Sequence, residues 1–180
     1  MNHKYIVDTN ILIRRAEHEI YDEKSFPSHW LNFDKLVDKG TIISTPSVYD
    51  EIKDDIVNWC NNHKKMFIPP NDNKYREELN FIKNELKDWY FSKDESDLWA
   101  DRDLVIYAKA YNLVLVTQEG LNLNANQKKY KIPSACVHLG AYCRNGKECT
   151  SEINPDTAPF QCIDFTELVK REKLYLNDKD

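Results

Sequence analysis

Short apolar runs alternate along the chain with longer segments in which apolar residues recur every three or four positions. Short continuous runs are typical of buried strands, and the longer periodic segments are typical of amphipathic helices. This pattern predicts strands at 5–7, 41–45, 113–117 and 162–165, and helices at 11–19, 28–39, 46–61, 73–91, 97–111, 132–139 and 166–176.

Alternating strands and helices favour an α/β fold, because parallel strands are joined by helical crossovers. We therefore predict a three-layer α/β/α sandwich with a mainly parallel sheet of four to five strands. The 180 residues suit a single domain, 1–180. Residues 143–160 contain Pro155, Pro159 and two cysteines without clear periodicity, and we expect an irregular Cys-containing insertion there.

Four acidic residues are placed where the predicted elements would bring them together. Asp8 follows the first strand, Glu119 follows the strand at 113–117, Glu51 lies in the helix after the second strand, and Asp101 lies in the helix that leads into the third. Functional sites of open α/β sheets form at the carboxyl ends of the strands. Converging carboxylates repel each other unless a cation such as Mg²⁺ or Mn²⁺ binds them.

Each acid also has a simpler explanation. Asp8 is equally compatible with a helix N-cap, and isolated acids such as Glu51 and Asp101 are usually solvated surface groups. Asp97 lies one turn before Asp101 and is either an auxiliary ligand or an N-cap, with the cap favoured.

The composition gives the net charge of the chain and bears on its cellular compartment. The formal net charge is −5, which counts mildly against a nucleic-acid partner, although bound cations would offset part of it. The sequence has no apolar run long enough to cross a bilayer and no apolar segment typical of a secretory signal. We therefore expect a cytoplasmic protein without membrane contact.

The five cysteines do not suggest a disulfide framework, because their number is odd. A Zn²⁺ site is unfavoured because the spacings in the C-terminal group are wider than those of zinc-binding cysteine pairs. Free thiols are the preferred interpretation of that group, Cys136, Cys143, Cys149 and Cys162.

Four blocks resemble, in the same order, the motifs of PIN-domain nucleases. Residues 7–13 (VDTNILI) resemble the opening motif, and 48–52 (VYDEI) resemble the helix that carries the family's Glu. Residues 101–108 (DRDLVIYA) resemble the helix Asp-x-x-Ile-x-x-x-Ala, and 113–119 (LVLVTQE) resemble the strand that ends in Val-Thr-x-acid. The resemblance implies a PIN-like sandwich. More loosely, 132–136 and the late Cys162 resemble an uncharacterised branch of PIN-like proteins.

The resemblance also implies an activity. PIN-domain proteins are metal-dependent ribonucleases, often VapC-type toxins held by an antitoxin. By this likeness the chain would be an endoribonuclease that uses Mg²⁺ or Mn²⁺, and its partners would be RNA and an antitoxin, with a homodimer left open. The implied metal ligands, which are also the catalytic residues, are Asp8, Glu51, Asp101 and Glu119.

Two other residues would orient these carboxylates or water: Asn10 and Thr117. Glu119 departs from the commoner Asp of the family. The family register favours Asp101 over Asp103 as a ligand. Asp103 stands where the family usually has an apolar residue, and we keep it, with Asp97, as an alternate ligand.

Small basic clusters are candidates for contacts with RNA phosphates, although solvated surface is the better explanation of any single member. These candidates are Arg14, Arg15, Lys128 and Lys129.

Two alternatives to the nuclease stay open. One is a PIN-like domain that binds protein or RNA without catalysis, which the acidic net charge and the Glu119 variant allow. The other is a phosphotransferase of the haloacid-dehalogenase type, which also begins with an Asp after the first strand. It is less favoured because such enzymes carry Asp-x-Asp, whereas Asn10 stands at the second position here.

Overall fold

Five parallel strands and one short antiparallel strand form the sheet of this protein. The structure is a computed structural model that describes residues 3–16, 19–53, 56–91, 100–146, 148–150 and 152–176. The strand order is β2-β1-β3-β6-β4-β5, and only β5 runs antiparallel to its neighbour. The strands are β1 (Tyr5–Val7), β2 (Ile42–Ile43), β3 (Val114–Val116), β4 (Tyr142–Asn145), β5 (Glu148–Cys149) and β6 (Gln161–Ile163).

Helices flank this sheet, which gives the predicted three-layer α/β/α sandwich. They are α1 (Thr9–Ile13), α2 (Pro27–Asp38), α3 (Pro46–Glu51), α4 (Val57–Asn62), α5 (Asn73–Glu85), α6 (Lys87–Tyr90), α7 (Ala100–Tyr111), α8 (Ile132–His138) and α9 (Phe165–Arg171). Side-chain caps fix the beginnings of three of them. Thr45, Asp72 and Asp164 each accept a hydrogen bond from a backbone N–H in the first turn of α3, α5 and α9.

The central strands are buried on both faces, as their continuous apolar sequences predict. Tyr5, Ile6 and Val7 are fully buried, and Leu115 and Val116 on β3 are as well. Burial of both faces requires helices on both sides of a parallel sheet. The sequence pattern of β1 and β3 therefore fixes their central place in the fold.

Several predicted segments differ from the structure. The helices predicted at 11–19 and 166–176 end earlier, at Ile13 and Arg171. The single helix at 46–61 is wrong: α3 ends at Glu51, because Ile52 has extended backbone angles (φ −72°, ψ 131°), and α4 begins at Val57. The helix at 73–91 is divided at Leu86. The irregular insertion at 143–160 is also wrong in part, since most of β4 and all of β5 lie there. Of the helix predicted at 97–111, residues 97–99 lie outside the described residues.

Candidate functional site

The carboxyl ends of β1, β3 and β6 lie side by side at one edge of the sheet. Val7 is paired with Val116, and Val116 with Ile163. The Asp8 N–H donates to the Val116 carbonyl at 3.0 Å, and the Thr117 N–H donates to the Ile163 carbonyl at 3.0 Å. The residues that follow these strands are therefore held at one edge, which we call the carboxyl edge.

Asp8 has a buried carboxyl group, 4% exposed, whose surroundings are polar. Its Oδ2 accepts hydrogen bonds from the Thr117 hydroxyl at 2.7 Å and from the Asn10 amide at 2.5 Å. The Asn10 Oδ1 in turn accepts from the Gln118 N–H at 2.9 Å, which holds the amide in place. Asn10 and Thr117 thus hold one oxygen of the Asp8 carboxyl group. Because Asn10 donates to Asp8, it does not supply the second acid of a haloacid-dehalogenase site.

The electrostatic surroundings of Asp8 oppose its ionised form. Burial raises the pKa of Asp8 to about 7, and the hydrogen bond from Thr117 only partly offsets this effect. The negative charges of Asp101 and Glu119 raise the pKa further. Two of the three other predicted ligands are therefore near enough to Asp8 to repel its charge.

Glu51 is the last residue of α3 and is tied to both Asp8 and Asp101 through neighbouring residues. Its Oε2 accepts from the Thr9 hydroxyl at 2.7 Å, and its Oε1 accepts from the Ala100 N–H at 3.4 Å. Thr9 directly follows Asp8, and Ala100 directly precedes Asp101. The structure thus places Glu51 beside the backbone that carries two of the other acids.

Glu119 is held at the start of α8. Its Oε2 accepts from the Ile132 N–H at 2.8 Å, while its backbone carbonyl accepts from the Asn145 amide at 2.6 Å. One carboxylate thereby joins the end of β3 to α8. The bond also fixes this side chain while its charge acts on Asp8.

Asp103 accepts hydrogen bonds from side chains on two other helices. Its Oδ2 accepts from the Ser47 hydroxyl at 2.6 Å and its Oδ1 accepts from the Tyr75 hydroxyl at 2.8 Å. Asp103 therefore joins α7 to α3 and α5, which explains an acid at a position where an apolar residue is expected. We do not retain it as an alternate ligand. Asp97, the other alternate, lies outside the described residues.

Whether these residues fit a divalent cation depends on the ion. Within the described ranges, no three His, Cys, Asp or Glu side chains are arranged closely enough to enclose a metal ion as they stand. Mg²⁺ keeps several of its waters and is often bound through one or two carboxylates. A buried carboxylate that like charges destabilise fits such an ion, because a cation removes the repulsion.

Arg15 is engaged within the protein, contrary to its assignment as a substrate contact. It is 7% exposed, and its guanidinium donates four hydrogen bonds to Glu23 and Asp34. It also lies over the rings of Trp30 and Trp59. Arg15 therefore joins α1 to α2 and α4, and we leave it out of any RNA surface.

The other basic candidates are more accessible. Arg14 is partly exposed and lies over the ring of Tyr21. Lys128 and Lys129 belong to a short 3₁₀ turn that begins at Gln127. The Gln127 side chain accepts a hydrogen bond from the Asp88 N–H in α6 and donates one to the Glu85 carbonyl in α5. These residues remain candidates for phosphate contacts.

The four late cysteines do not share one environment. Cys136, Cys143 and Cys162 are buried in the core, whereas Cys149 is exposed. Cys143 and Cys162 are register partners on adjacent strands. The hydrogen bond with the neighbouring Cys162 thiol, and then burial, raise the pKa of Cys143 well above its ordinary value. Such thiols are poor nucleophiles and poor metal ligands.

Sequence reasoning missed two polar groups at the carboxyl edge. Asp164, 5% exposed, accepts from the Glu167 N–H at 2.7 Å and from the Gly146 N–H at 2.6 Å. Gln118 has a buried Oε1 without a hydrogen-bond partner among the described residues. An acid directly after the strand 161–163 was a usable signal for Asp164, whereas nothing in the sequence distinguishes Gln118.

Comparison with known families gives one match. The model of a family described as "Domain of unknown function (DUF4411)" matches residues 5–152, a range that includes all four predicted ligands. No curated protein and no solved structure matches the chain. In the part of the chain that the structure describes, no helix is long and apolar enough to span a membrane.

Proposed function

The chain belongs to the DUF4411 family, and we propose that it is a metal-dependent endoribonuclease whose active site is the carboxyl edge. One observation carries the proposal. Asp8 is buried at the junction of β1 and β3, and the negative charges of Asp101 and Glu119 act on it. A protein has little reason to hold three acids in this way unless a cation binds them.

Mg²⁺ or Mn²⁺ at this edge would polarise a phosphodiester and activate an attacking water. Asp8 would be the principal ligand, and Asn10 and Thr117 hold its Oδ2 in a fixed orientation. Asp101 would supply a second carboxylate from α7. Glu51 would bind directly or through water after exchanging its bonds to Thr9 and Ala100.

Glu119 has the most restricted role in this proposal. Its carboxylate already accepts from the first residue of α8. It would therefore act on the ion through water or through its negative charge. The extra methylene relative to Asp gives the side chain the length to reach α8, which is consistent with this role.

The choice of RNA as the substrate rests on the likeness of 7–13, 48–52, 101–108 and 113–119 to PIN-domain motifs. The same likeness supports a cytoplasmic toxin held by an antitoxin protein, with a homodimer as a further state. Lys128, Lys129 and Arg14 would contact RNA phosphates, because they are the basic candidates that the fold leaves accessible.

The test is cleavage of RNA by the purified protein with and without a divalent ion. We expect cleavage with Mg²⁺ or Mn²⁺, none in EDTA, and a loss of at least about a hundredfold in Asp8→Asn. Asp156→Asn is the matched control, because Asp156 is an exposed acid in a turn. Equal cleavage by Asp8→Asn and wild type would refute the assignment.

A PIN-like domain that only binds protein or RNA is the second candidate. It is favoured by the bonds that engage Glu51 and Glu119 within the protein. Calorimetric titration with Mn²⁺ separates the two functions. Binding that Asp8→Asn abolishes supports the nuclease, and no binding at millimolar Mn²⁺ supports the non-catalytic domain.

A further inference from the structure

A cavity lies at the opposite edge of the sheet from the acids. It has a volume of about 870 Å³ and is lined by residues that precede β1 and β2 and by residues around the end of α4. We call it the amino-edge pocket. Its charged and titratable lining residues are His3, Asp38, Lys39, His63, Lys64 and Lys65.

The charge of this pocket is opposite to that of the whole chain. Its lining contains three lysines and one aspartate, although the chain carries a net charge of −5. Lys39, Lys64 and Lys65 are all exposed, so their ammonium groups are accessible to a ligand. A local excess of positive charge in an acidic protein attracts anions to this one place.

In both histidines the Nδ1 is hydrogen-bonded to a backbone carbonyl. The Nδ1 of His3 is 2.7 Å from the Gly40 carbonyl, and the Nδ1 of His63 is 2.9 Å from the Trp59 carbonyl. A carbonyl only accepts, so each Nδ1 carries the hydrogen. In each ring Nε2 is then the remaining nitrogen, and that of His63 is 3.9 Å from Asp38 Oδ1. The charged donors that the pocket offers to an anion are its lysines.

The remaining lining residues suit the organic part of a ligand that carries the anionic group. Val37, Ile43, Met66 and Ile68 also line the pocket, and Ile68 is the most exposed of the four. The volume lies within the range of about 300–1,000 Å³ that is usual for small-molecule sites. Apolar surface beside cationic donors suits a nucleotide better than it suits an inorganic ion.

We propose that the amino-edge pocket binds the phosphate monoester of a nucleotide, with Lys64 and Lys65 as its main contacts. The phosphate would belong either to a free mononucleotide or to the 5′ end of an RNA, since both present the same group. The proposal does not depend on the nuclease assignment, because the pocket and the acids lie at opposite edges of the sheet. It also requires no divalent ion.

The test is calorimetry in EDTA, which removes any contribution from the carboxyl edge. We expect AMP to bind at least about tenfold more tightly than adenosine, because only AMP carries the charged acceptor. Lys64→Gln/Lys65→Gln should weaken AMP binding by at least about tenfold. The control Lys83→Gln/Lys87→Gln removes the same charge from exposed positions on α5 and α6 and should bind AMP as wild type does.

Two results would overturn the proposal: equal affinity for AMP and adenosine, including no binding of either, or equal weakening by both double variants. A pair of RNA pentamers then identifies the source of the phosphate. A 5′-phosphorylated pentamer that binds at least about tenfold more tightly than both AMP and its 5′-hydroxyl counterpart indicates an RNA end. Affinity no better than that of AMP indicates a free nucleotide.

Discussion

The proposed site depends on Asp8. When no cation is bound, the burial of this residue disfavours its ionised form. The residue is 4% exposed, and among the described residues Thr117, Asn10 and the Thr9 N–H donate to its carboxyl group. Two like charges oppose its ionisation. Functional sites often keep residues whose substitution would make the protein more stable. The burial of Asp8 gives it this property.

This property predicts a pH dependence of stability. The pKa of Asp8 is about 7 in the folded chain against an ordinary value of 3.8, so between about pH 4 and pH 7 the folded chain keeps a proton that the unfolded chain has lost. The contribution of Asp8 to stability therefore falls as pH rises through this window and is constant above it. The full effect corresponds to about 4 kcal/mol at ~1.4 kcal/mol per tenfold change in proton affinity.

Urea unfolding in EDTA at pH 4.5 and pH 8 measures this effect. Relative to wild type, Asp8→Asn should gain up to about 4 kcal/mol at pH 8 and much less at pH 4.5. Asp156→Asn, which changes an exposed acid, should show no such difference. A stability gap between Asp8→Asn and wild type that is the same at both pH values would contradict the account.

At the scale of elements, α7 carries a proposed metal ligand and a structural acid within one turn. Asp101 acts on Asp8 through its charge, whereas Asp103 is bonded to Ser47 and Tyr75. The two acids are two residues apart, so they lie on different sides of the helix. In the proposed function this one helix would contribute a ligand to the site, and it also connects to α3 and α5.

Matched substitutions distinguish these two roles. Asp101→Asn should lower Mn²⁺ affinity by about tenfold or more, because it removes a charged ligand. Asp103→Asn should keep Mn²⁺ affinity but lose about 2 kcal/mol of unfolding free energy, since it weakens hydrogen bonds to a charged group. Calorimetry and urea unfolding give the two readouts. If Asp103→Asn lost as much Mn²⁺ affinity as Asp101→Asn, the division of roles would be wrong.

The sequence was informative where local pattern and burial agree. The apolar runs of β1 and β3 predicted the two central strands, and with them the edge where Asp8 and Glu119 lie. It was uninformative for β4 and β5, because their ends at 144–149 are polar and strand pairing alone defines them. The break in the helix at 46–61 was likewise invisible, since Ile52 is compatible with a helix by itself.

Side-chain partners were the least predictable feature. Arg15 was assigned to the surface because it is charged, but Glu23, Asp34 and two tryptophans enclose it. These partners come from the turn before α2, from α2 and from α4, and their arrangement follows only from the packed fold. The same reason explains why the role of Asp103 was not foreseen.

For the whole molecule, the location of the thiols gives a test of the packing. Of the five cysteines, only Cys149 is exposed, and the other four are buried. In the native protein we expect one thiol to react rapidly with a thiol reagent such as Ellman's reagent, and all five to react after unfolding. Cys149→Ser should remove the rapid phase. Two or more rapidly reacting thiols in the native protein would show that the core around at least one of the four buried cysteines is open.

The sheet also gives the molecule two edges of opposite character. The acids that follow β1 and β3 lie at the carboxyl edge. The lysines and histidines of the amino-edge pocket lie at the other. Parallel strands make this separation possible, because all their carboxyl ends point the same way.

The central claim is that the carboxyl edge binds a divalent ion, and anomalous scattering from crystals soaked in Mn²⁺ tests it most directly. We predict an anomalous peak about 2.0–2.3 Å from a carboxylate oxygen of Asp8, with Asp101 as a second ligand, and no such peak in Asp8→Asn crystals. Wild-type crystals in millimolar Mn²⁺ that show no peak at the carboxyl edge would contradict the account.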